Sequence, residues 1–281
     1  SGGVMLPNHS PLVIAEQFGT LEALHPGRID LGLGRAPGTD QATALALRRR
    51  ADALSAGDFP QQLAELIAFL DDSFPERHPY ARIHAVPGPV QGKVPGGVQT
   101  ADRPPVWLLG SSGFSAQLAG ELGLPFAFAH HFSAANTLPA LELYRNSFRP
   151  SAVLAEPYAM VAVAAVAADT EAEAVRAVRT GALSMLRLRA GKPGLVPTPE
   201  EAERYPYSER ESEFLAGWLA TIPHGEPAAV RQGLDELQKR TEADELMITT
   251  NVHGIGTRLR SYELIAREYD MIPDQGDTPK G

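Results

Sequence analysis

The stretch PVWLLGSSGFSAQLAGELGLPFAFAHHF, residues 105–132, contains the pattern that decides the fold. Two apolar runs, at 106–110 and 125–129, lie on either side of a predicted helix at 115–122. Continuous rather than alternating hydrophobicity is typical of strands that are buried on both faces of a parallel sheet. Because a strand, a helix and a second strand follow one another here, the stretch predicts a β/α unit.

The same alternation extends along the chain in both directions. Further strands are predicted at the opening segment (ending at residue 3) and at 29–34, 158–167 and 245–250. Further helices are predicted at 10–24, 61–70, 135–146, 171–188, 227–241 and 258–268. In the first of these helices, Ile14, Phe18 and Leu21 share one face, which we expect to be buried, and Ser10 can cap its start. The chain is therefore predicted to be an α/β protein with a parallel sheet.

Two segments interrupt this order. Residues 72–104 are rich in proline and glycine, and we expect an insertion there with a short hairpin around 83–86. Residues 191–224 are acidic and contain tyrosines and a tryptophan, which indicates a second insertion. A polar tail follows at 271–281, so a single domain is expected over residues 1–270.

Composition and charge exclude several classes of function. The chain has 281 residues, a formal net charge of -9 and a pI near 5.4, which argue against a nucleic-acid or anionic-membrane surface. There is no cysteine, so disulfides and thiolate chemistry are excluded, and a cytoplasmic location is expected. The longest apolar run, at 158–168, is too short to span a bilayer.

The end of the strand at 106–110 carries the first candidate site. Ser111, Ser112, Gly113 and Ser115 open the following helix, where free amides and hydroxyls favour an anion such as phosphate. An ordinary serine cap explains the same pattern, and both interpretations stay open on these residues alone. Arg35 ends the strand at 29–34, and in a barrel the carboxyl ends of all strands meet at one mouth, where an arginine suits a phosphate.

The glycines on either side of Arg35 offer a rival interpretation as a dinucleotide fingerprint. Their positions are 32, 34 and 38, with Pro37 between them, and no helix opens directly afterwards. The fingerprint requires a tight turn that leads straight into a helix, so this interpretation is weak.

Glycines and strand-end polar residues give the remaining candidates. Gly2 and Gly3 leave bare backbone against which a flat ring can lie, although a flexible terminus explains them as well. His130 follows a strand, and a histidine at a strand end is a candidate for contact with a ligand. No carboxylates lie at ligand spacing beside the histidines, so no metal site is predicted. Asn8, Asp40 and Asn251 are candidates for the wall of a substrate pocket, which loop polarity explains equally well.

Three segments together resemble the bacterial luciferase-like flavin-dependent monooxygenase family. They are SGGVMLPNHSPLVIAEQFGTLEALHPGRIDLGLGRAPGTDQ (1–41), the stretch at 105–132, and ADELMITTNVHGIGTRLRSYELIARE (243–268). They are similar to the third and fourth β/α units, the fifth strand to the sixth strand, and the eighth strand with its helix. The resemblance implies a TIM (β/α)₈ barrel of which the first two β/α units are missing from this chain.

The resemblance also assigns roles to individual positions. Gly2–Gly3 matches a non-prolyl cis peptide beneath the flavin ring, and Arg35 matches the arginine that reaches the FMN phosphate. Ser111, Ser112, Gly113 and Ser115 match the turn that binds this phosphate. His130 falls beside the isoalloxazine and is the candidate catalytic residue.

The activity that the resemblance implies is an FMN-dependent monooxygenase. It would receive reduced FMN from a separate flavin reductase, use O₂ on a small organic substrate, and form a homodimer through the helix at 10–24. Two alternatives stay open: a deazaflavin-dependent dehydrogenase of the same fold, and a flavin-binding protein without catalysis.

Overall fold

The computed structural model describes residues 3–36, 43, 46, 47, 56–88 and 103–272. The chain divides into two compact units. The first comprises Ser1–Phe128 with Pro139–Tyr158, and the second comprises Ala129–Leu138 with Ala159–Gly281. The single domain expected over residues 1–270 stays a prediction.

The first unit alternates parallel strands with helices. Its elements are β1 (Val4–Met5), α1 (Pro11–Leu24), β2 (Leu31–Gly34), α2 (Phe59–Asp71), β3 (Val106–Gly110), α3 (Gly113–Leu122), β4 (Phe126–Ala129, whose last residue belongs to the second unit) and most of α4 (Thr137–Ser147). The strands pair in the order β1-β2-β3-β4, all parallel. The predicted β/α units are thus confirmed here.

The core of the first unit forms where these strands meet the helices. Leu31 and Leu33 of β2 and Leu108 of β3 are fully buried, as are Leu63 and Leu66 of α2. The two leucines of β2 alternate with glycines, so each large side chain is followed by a position where the backbone of a neighbour can approach. Burial of these side chains fixes the sheet register, and the register places the strand ends described below.

The second unit contains a pair of longer strands and a pair of shorter ones. Its elements are β5 (Ala159–Ala164), β6 (Val166–Ala167), α5 (Glu171–Arg189), α6 (Pro199–Arg204), α7 (Glu209–Leu219), β7 (His224–Gly225), α8 (Pro227–Thr241), β8 (Glu245–Thr249) and α9 (Ile255–Glu268). Strand β5 pairs in parallel with β8, and β6 pairs in parallel with β7. The predicted strand at 158–167 is therefore divided at Ala165.

Three helix starts in the second unit are capped by side chains. Helices α5, α6 and α7 each have a complete capping box, in which a Ser or Thr bonds the third amide and a Glu bonds back. Two of these helices, α6 and α7, lie in the segment 191–224 that was predicted as an insertion. The segment ends at His224, the first residue of β7.

Three local predictions are wrong. Residues 83–85 are irregular and 86–88 form a bend, so the hairpin expected at 83–86 is absent from the described residues. On α1, Leu21 is 40% exposed and the buried face includes Glu22 instead. One carboxylate oxygen of Glu22, Oε1, accepts the amide of Gly27 at 2.6 Å, which partly offsets the cost of burying it. The opening strand does not end at Gly3, because β1 follows this residue.

Of the predicted polar tail, only residues 271 and 272 lie within the described residues. In the parts of the chain that the structure covers, no helix has the length and apolar character that crossing a membrane requires.

Candidate cofactor site

The register of the first unit brings Arg35 beside the serine-rich turn after β3. Gly34 pairs with Leu109, so the residues that follow, Arg35 and Gly110, lie at the same level of two adjacent strands. Strand β3 ends at Gly110 and α3 begins at Gly113, two residues before the predicted helix start. Arg35 and this turn therefore lie close together within the first unit, as predicted.

Arg35 lies directly against the first turn of α3. Its guanidinium carbon Cζ lies 4.2 Å from the centroid of the Phe114 ring. Among the described residues, Arg35 forms no ion pair with a carboxylate. Since a guanidinium has five N–H donors and is always charged, this arrangement leaves donors for an anion at the start of α3.

The start of α3 has donors that no side chain of its own satisfies. Ser112 is the N-cap in an extended conformation, but its side chain makes no capping hydrogen bond. The first amides of a helix have no partner within the helix, and they carry the positive end of its dipole. Ser111 and Ser112 are exposed. These amides and hydroxyls therefore face solvent, or a ligand, rather than a cap.

Ser115 is the buried member of this group. The residue is only 4% exposed, and no hydrogen bond of its hydroxyl is found within the described part of the chain. The hydroxyl oxygen is not one of the fully buried side-chain atoms that lack a partner, so it reaches the surface of the turn, where a ligand can contact it. Gly110 packs against it so tightly that a Cβ on Gly110 would lie 2.8 Å from the Cβ of Ser115. The pairing of glycine with serine holds this hydroxyl at the end of β3.

Tests of fit favour a phosphate group at this turn. The donors are one arginine, the free amides of a helix start and three serine hydroxyls, which together match the acceptor oxygens and the charge of a phosphate. Residues that can hold a metal are different in kind, and within the described residues no three His, Asp or Glu side chains cluster in a way that could bind one.

Gly3 is also in the first unit, next to the strands of the site. A Cβ on Gly3 would lie 2.9 Å from Cδ2 of Leu109 and 3.0 Å from the carbonyl oxygen of Gly32. Glycine is therefore required here by the packing of β1, β2 and β3. Gly2, and with it the Gly2–Gly3 peptide bond, lies outside the described residues, as does Asp40.

His130 follows β4 and lies in the second unit. It is 5% exposed, and its Nδ1 lies 2.8 Å from Oγ1 of Thr137. Burial lowers the pKa of His130, and the positive charge of Arg240 lowers it further. The ring is thus held in its neutral form near pH 7, in which one of its nitrogens can accept a proton.

The second histidine of the pair, His131, was not a predicted site residue. Its Nδ1 lies 2.9 Å from the carbonyl oxygen of Ala162 in β5, and its ring packs at 4.2 Å from that of Phe132. A carbonyl can only accept, so Nδ1 carries the proton and Nε2 of the neutral ring is an acceptor. The two consecutive histidines thus have separate environments.

The other predicted pocket residues lie at strand ends. Asn8 is half-buried in a 3₁₀ turn, Leu6–Asn8, directly after β1. Asn251 is exposed and follows β8 in the second unit. Each lies after the carboxyl end of a parallel strand, which is where α/β proteins place their ligands.

Comparison with protein families identifies a match over most of the chain. The model of the family described as luciferase-like monooxygenase matches residues 1–243. A luciferase-like monooxygenase of Escherichia coli K12 is 46% identical over 264 residues, covering 94% of this chain and 74% of that protein. The N-acetyl-S-alkylcysteine monooxygenase of Bacillus subtilis 168 is 32% identical over 269 residues, covering 95% of this chain and 76% of that protein.

Solved structures agree with these relatives. The crystal structure of apo-MsnO8 has a TM-score of 0.80 and 35% identity, covering 98% of this chain and 77% of that one. The oxygenating constituent of 3,6-diketocamphane monooxygenase from Pseudomonas putida, solved with FMN, has a TM-score of 0.64 at 19% identity and covers 95% and 77%. An F420-dependent secondary alcohol dehydrogenase has a TM-score of 0.58 at 14% identity and covers 92% and 74%. The last two show the fold alone, which is the luciferase-like TIM barrel.

Proposed function

The chain belongs to the luciferase-like monooxygenase family, and on that premise we propose that it is an FMN-dependent monooxygenase acting on a small organic substrate. The proposal rests on the position of Arg35, whose Cζ lies 4.2 Å from the centroid of the Phe114 ring. This contact lies at the start of α3, where no side chain caps the helix. An arginine that has no carboxylate partner among the described residues, next to free helix amides, is suited to a phosphate. When bound, reduced flavin supplies the electrons with which O₂ is activated.

The residues of the first unit have the task of binding and orientation. Arg35 and the amides of Gly113 and its neighbours would donate hydrogen bonds to the phosphate. The hydroxyls of Ser111, Ser112 and Ser115 would add further donors. Gly2–Gly3 is proposed to lie beneath the flavin ring, which needs backbone without side chains.

The residues of the second unit are proposed to act in proton transfer and substrate contact. His130 is the candidate catalytic residue, because its lowered pKa keeps the ring neutral and able to accept a proton. Asn251 of this unit is proposed as a residue that contacts the substrate. For Asn8 and Asp40, a place in the wall of the substrate pocket stays a prediction from the sequence. The name of the Bacillus subtilis relative supports a small organic molecule as the substrate.

Two partners complete the proposal. A separate flavin reductase supplies reduced FMN. The glycines on either side of Arg35 fit a dinucleotide fingerprint poorly, which agrees with a reductant made by another protein. A second copy of the chain is proposed to pack on α1, whose outer face exposes Val13, Leu21 and Leu24. Sedimentation of the protein with and without the substitution Leu21→Glu tests this dimer, which the charged residue should dissociate.

The experiment that tests the function is a titration with FMN, riboflavin and coenzyme F420, followed by turnover with a reductase under isotopically labelled O₂. FMN should bind at least about 10-fold more tightly than riboflavin, which lacks only the phosphate. Label should then appear in an oxidised substrate. Binding of F420 alone would indicate the deazaflavin-dependent dehydrogenase instead. Tight FMN binding without oxygen-dependent turnover of any substrate would indicate a flavin-binding protein.

A further inference from the structure

The contact between Arg35 and Phe114 joins two elements that are distant in sequence. Arg35 follows β2, whereas Phe114 is the second residue of α3. The guanidinium carbon lies 4.2 Å from the ring centroid, within the distance at which an arginine is attracted to the face of an aromatic ring. The contact lies wholly within the first unit.

Phe114 is not explained by packing in the core. Its side chain is 39% exposed, while the neighbouring Ser115 and Ala116 are buried. At this exposure part of the ring remains in contact with solvent, so burial in the core alone does not account for its position. The face of its ring is instead covered by Arg35.

We propose that Phe114 is a positioning residue for Arg35, whose ring holds the guanidinium beside the start of α3 so that its N–H edge is directed to the cofactor phosphate. This inference rests on the proposed function and adds a residue to it. A guanidinium that stacks on a ring keeps its donors free, because they lie in its own plane. Phe114 thereby orders the arginine without competing for its hydrogen bonds, as a carboxylate would.

Another aromatic contact provides a matched control. In the second unit, Cζ of Arg189 lies 4.6 Å from the centroid of the Phe214 ring. This pair has the same chemistry but lies on α5 and α7, in the other unit of the chain. If a phenylalanine stacked on arginine acts only through the stability of the fold, both pairs should respond alike to substitution.

The test is a double-mutant cycle read out as the dissociation constants of FMN and riboflavin. Phe114→Leu should weaken FMN binding about 3- to 20-fold, the range expected for a cation–π contact, and leave riboflavin unchanged. Phe114→Tyr, which keeps the ring, should bind FMN within about twofold of the original protein. Phe214→Leu should not alter either constant. In the Arg35→Ala background, Phe114→Leu should have no further effect on FMN.

Four results would overturn the inference. One is an unchanged FMN constant in Phe114→Leu, and another is an equal loss with and without Arg35. The third is equal binding of riboflavin and FMN by the original protein. This result would refute the phosphate site itself, and it can be measured before any variant is made. Phe114→Met serves as a second variant if the leucine variant does not fold. A loss of riboflavin binding equal to that of FMN would likewise indicate a structural role.

Discussion

The contact between Gly110 and Ser115 gives a prediction whose size follows from the structure. A Cβ added at Gly110 would lie 2.8 Å from the Cβ of Ser115 and 3.1 Å from its Oγ. Carbon atoms prefer a separation of about 3.5–4.0 Å, so Gly110→Ala must move the strand end or the helix start by several tenths of an ångström. Overpacking of this kind lowers the free energy of unfolding by about 1–3 kcal/mol. Replacement of a glycine in a strand raises it by about 0.5–1 kcal/mol, which offsets part of this loss.

The same substitution should weaken FMN binding. Displacement of the Ser115 hydroxyl removes one hydrogen bond of about 0.5–1.5 kcal/mol, which corresponds to about a 2- to 12-fold rise in the dissociation constant. Gly217→Ala is the matched control, because no atom lies within 4 Å of a Cβ at this position. In helix α7 that change should stabilise the protein by about 0.5–1 kcal/mol and leave FMN binding unchanged.

Urea unfolding and flavin titration measure the two effects. The double substitution Gly110→Ala with Ser115→Gly should be more stable than the sum of the single changes, since the second removes the atom that the first strikes. FMN binding should stay weak in the double variant, because the hydroxyl is gone. Strictly additive stabilities, or FMN binding by Gly110→Ala equal to that of the Gly217→Ala control, would refute the reasoning.

Three other expectations follow from single contacts. Arg35→Ala should weaken FMN binding about 10- to 150-fold through loss of a charge-assisted contact, with riboflavin binding unchanged in the same fluorescence titration. Tyr144→Phe should lower the free energy of unfolding in urea by about 1–3 kcal/mol, since the buried Oη lies 2.9 Å from the carbonyl of Leu124 and 3.0 Å from the amide of Tyr158; an unchanged midpoint would contradict this. Because the pKa of His130 is lowered in the folded state, the unfolded chain binds its proton first, so stability should fall as pH drops below the ordinary histidine value of about 6.5, by at most about 1.4 kcal/mol per pH unit. His130→Gln should lose less stability than the original protein between pH 7 and pH 5, and equal losses in pH-dependent urea unfolding would exclude this cause.

Much of the fold could be predicted because the signals are local. The apolar runs at 106–110 and 245–249 and the helix at 171–189 depend on hydrophobic periodicity and capping residues, which a single sequence displays. The convergence of Arg35 with the serine-rich turn was also predictable. It follows from the rule that the carboxyl ends of parallel strands meet at one edge.

The wrong or missing predictions concern residues whose environment is set by contacts with other parts of the chain. Glu22 is buried and Leu21 is exposed because the carboxylate bonds the turn at Gly27, which helical periodicity does not include. Phe114 was missed because its partner lies some 80 positions earlier in the chain. The separate environments of His130 and His131 could not be predicted, because both lie in the turn after β4 and their partners, Thr137 and Ala162, are set by tertiary packing.

The most direct test of the central claim is a crystal structure of the protein with FMN. We expect the phosphate to lie at the start of α3. It should be within hydrogen-bonding distance of the Arg35 guanidinium, the amides from Gly113 onward and the Ser115 hydroxyl. A phosphate bound elsewhere, with Arg35 still stacked on Phe114 and free of the ligand, would contradict it.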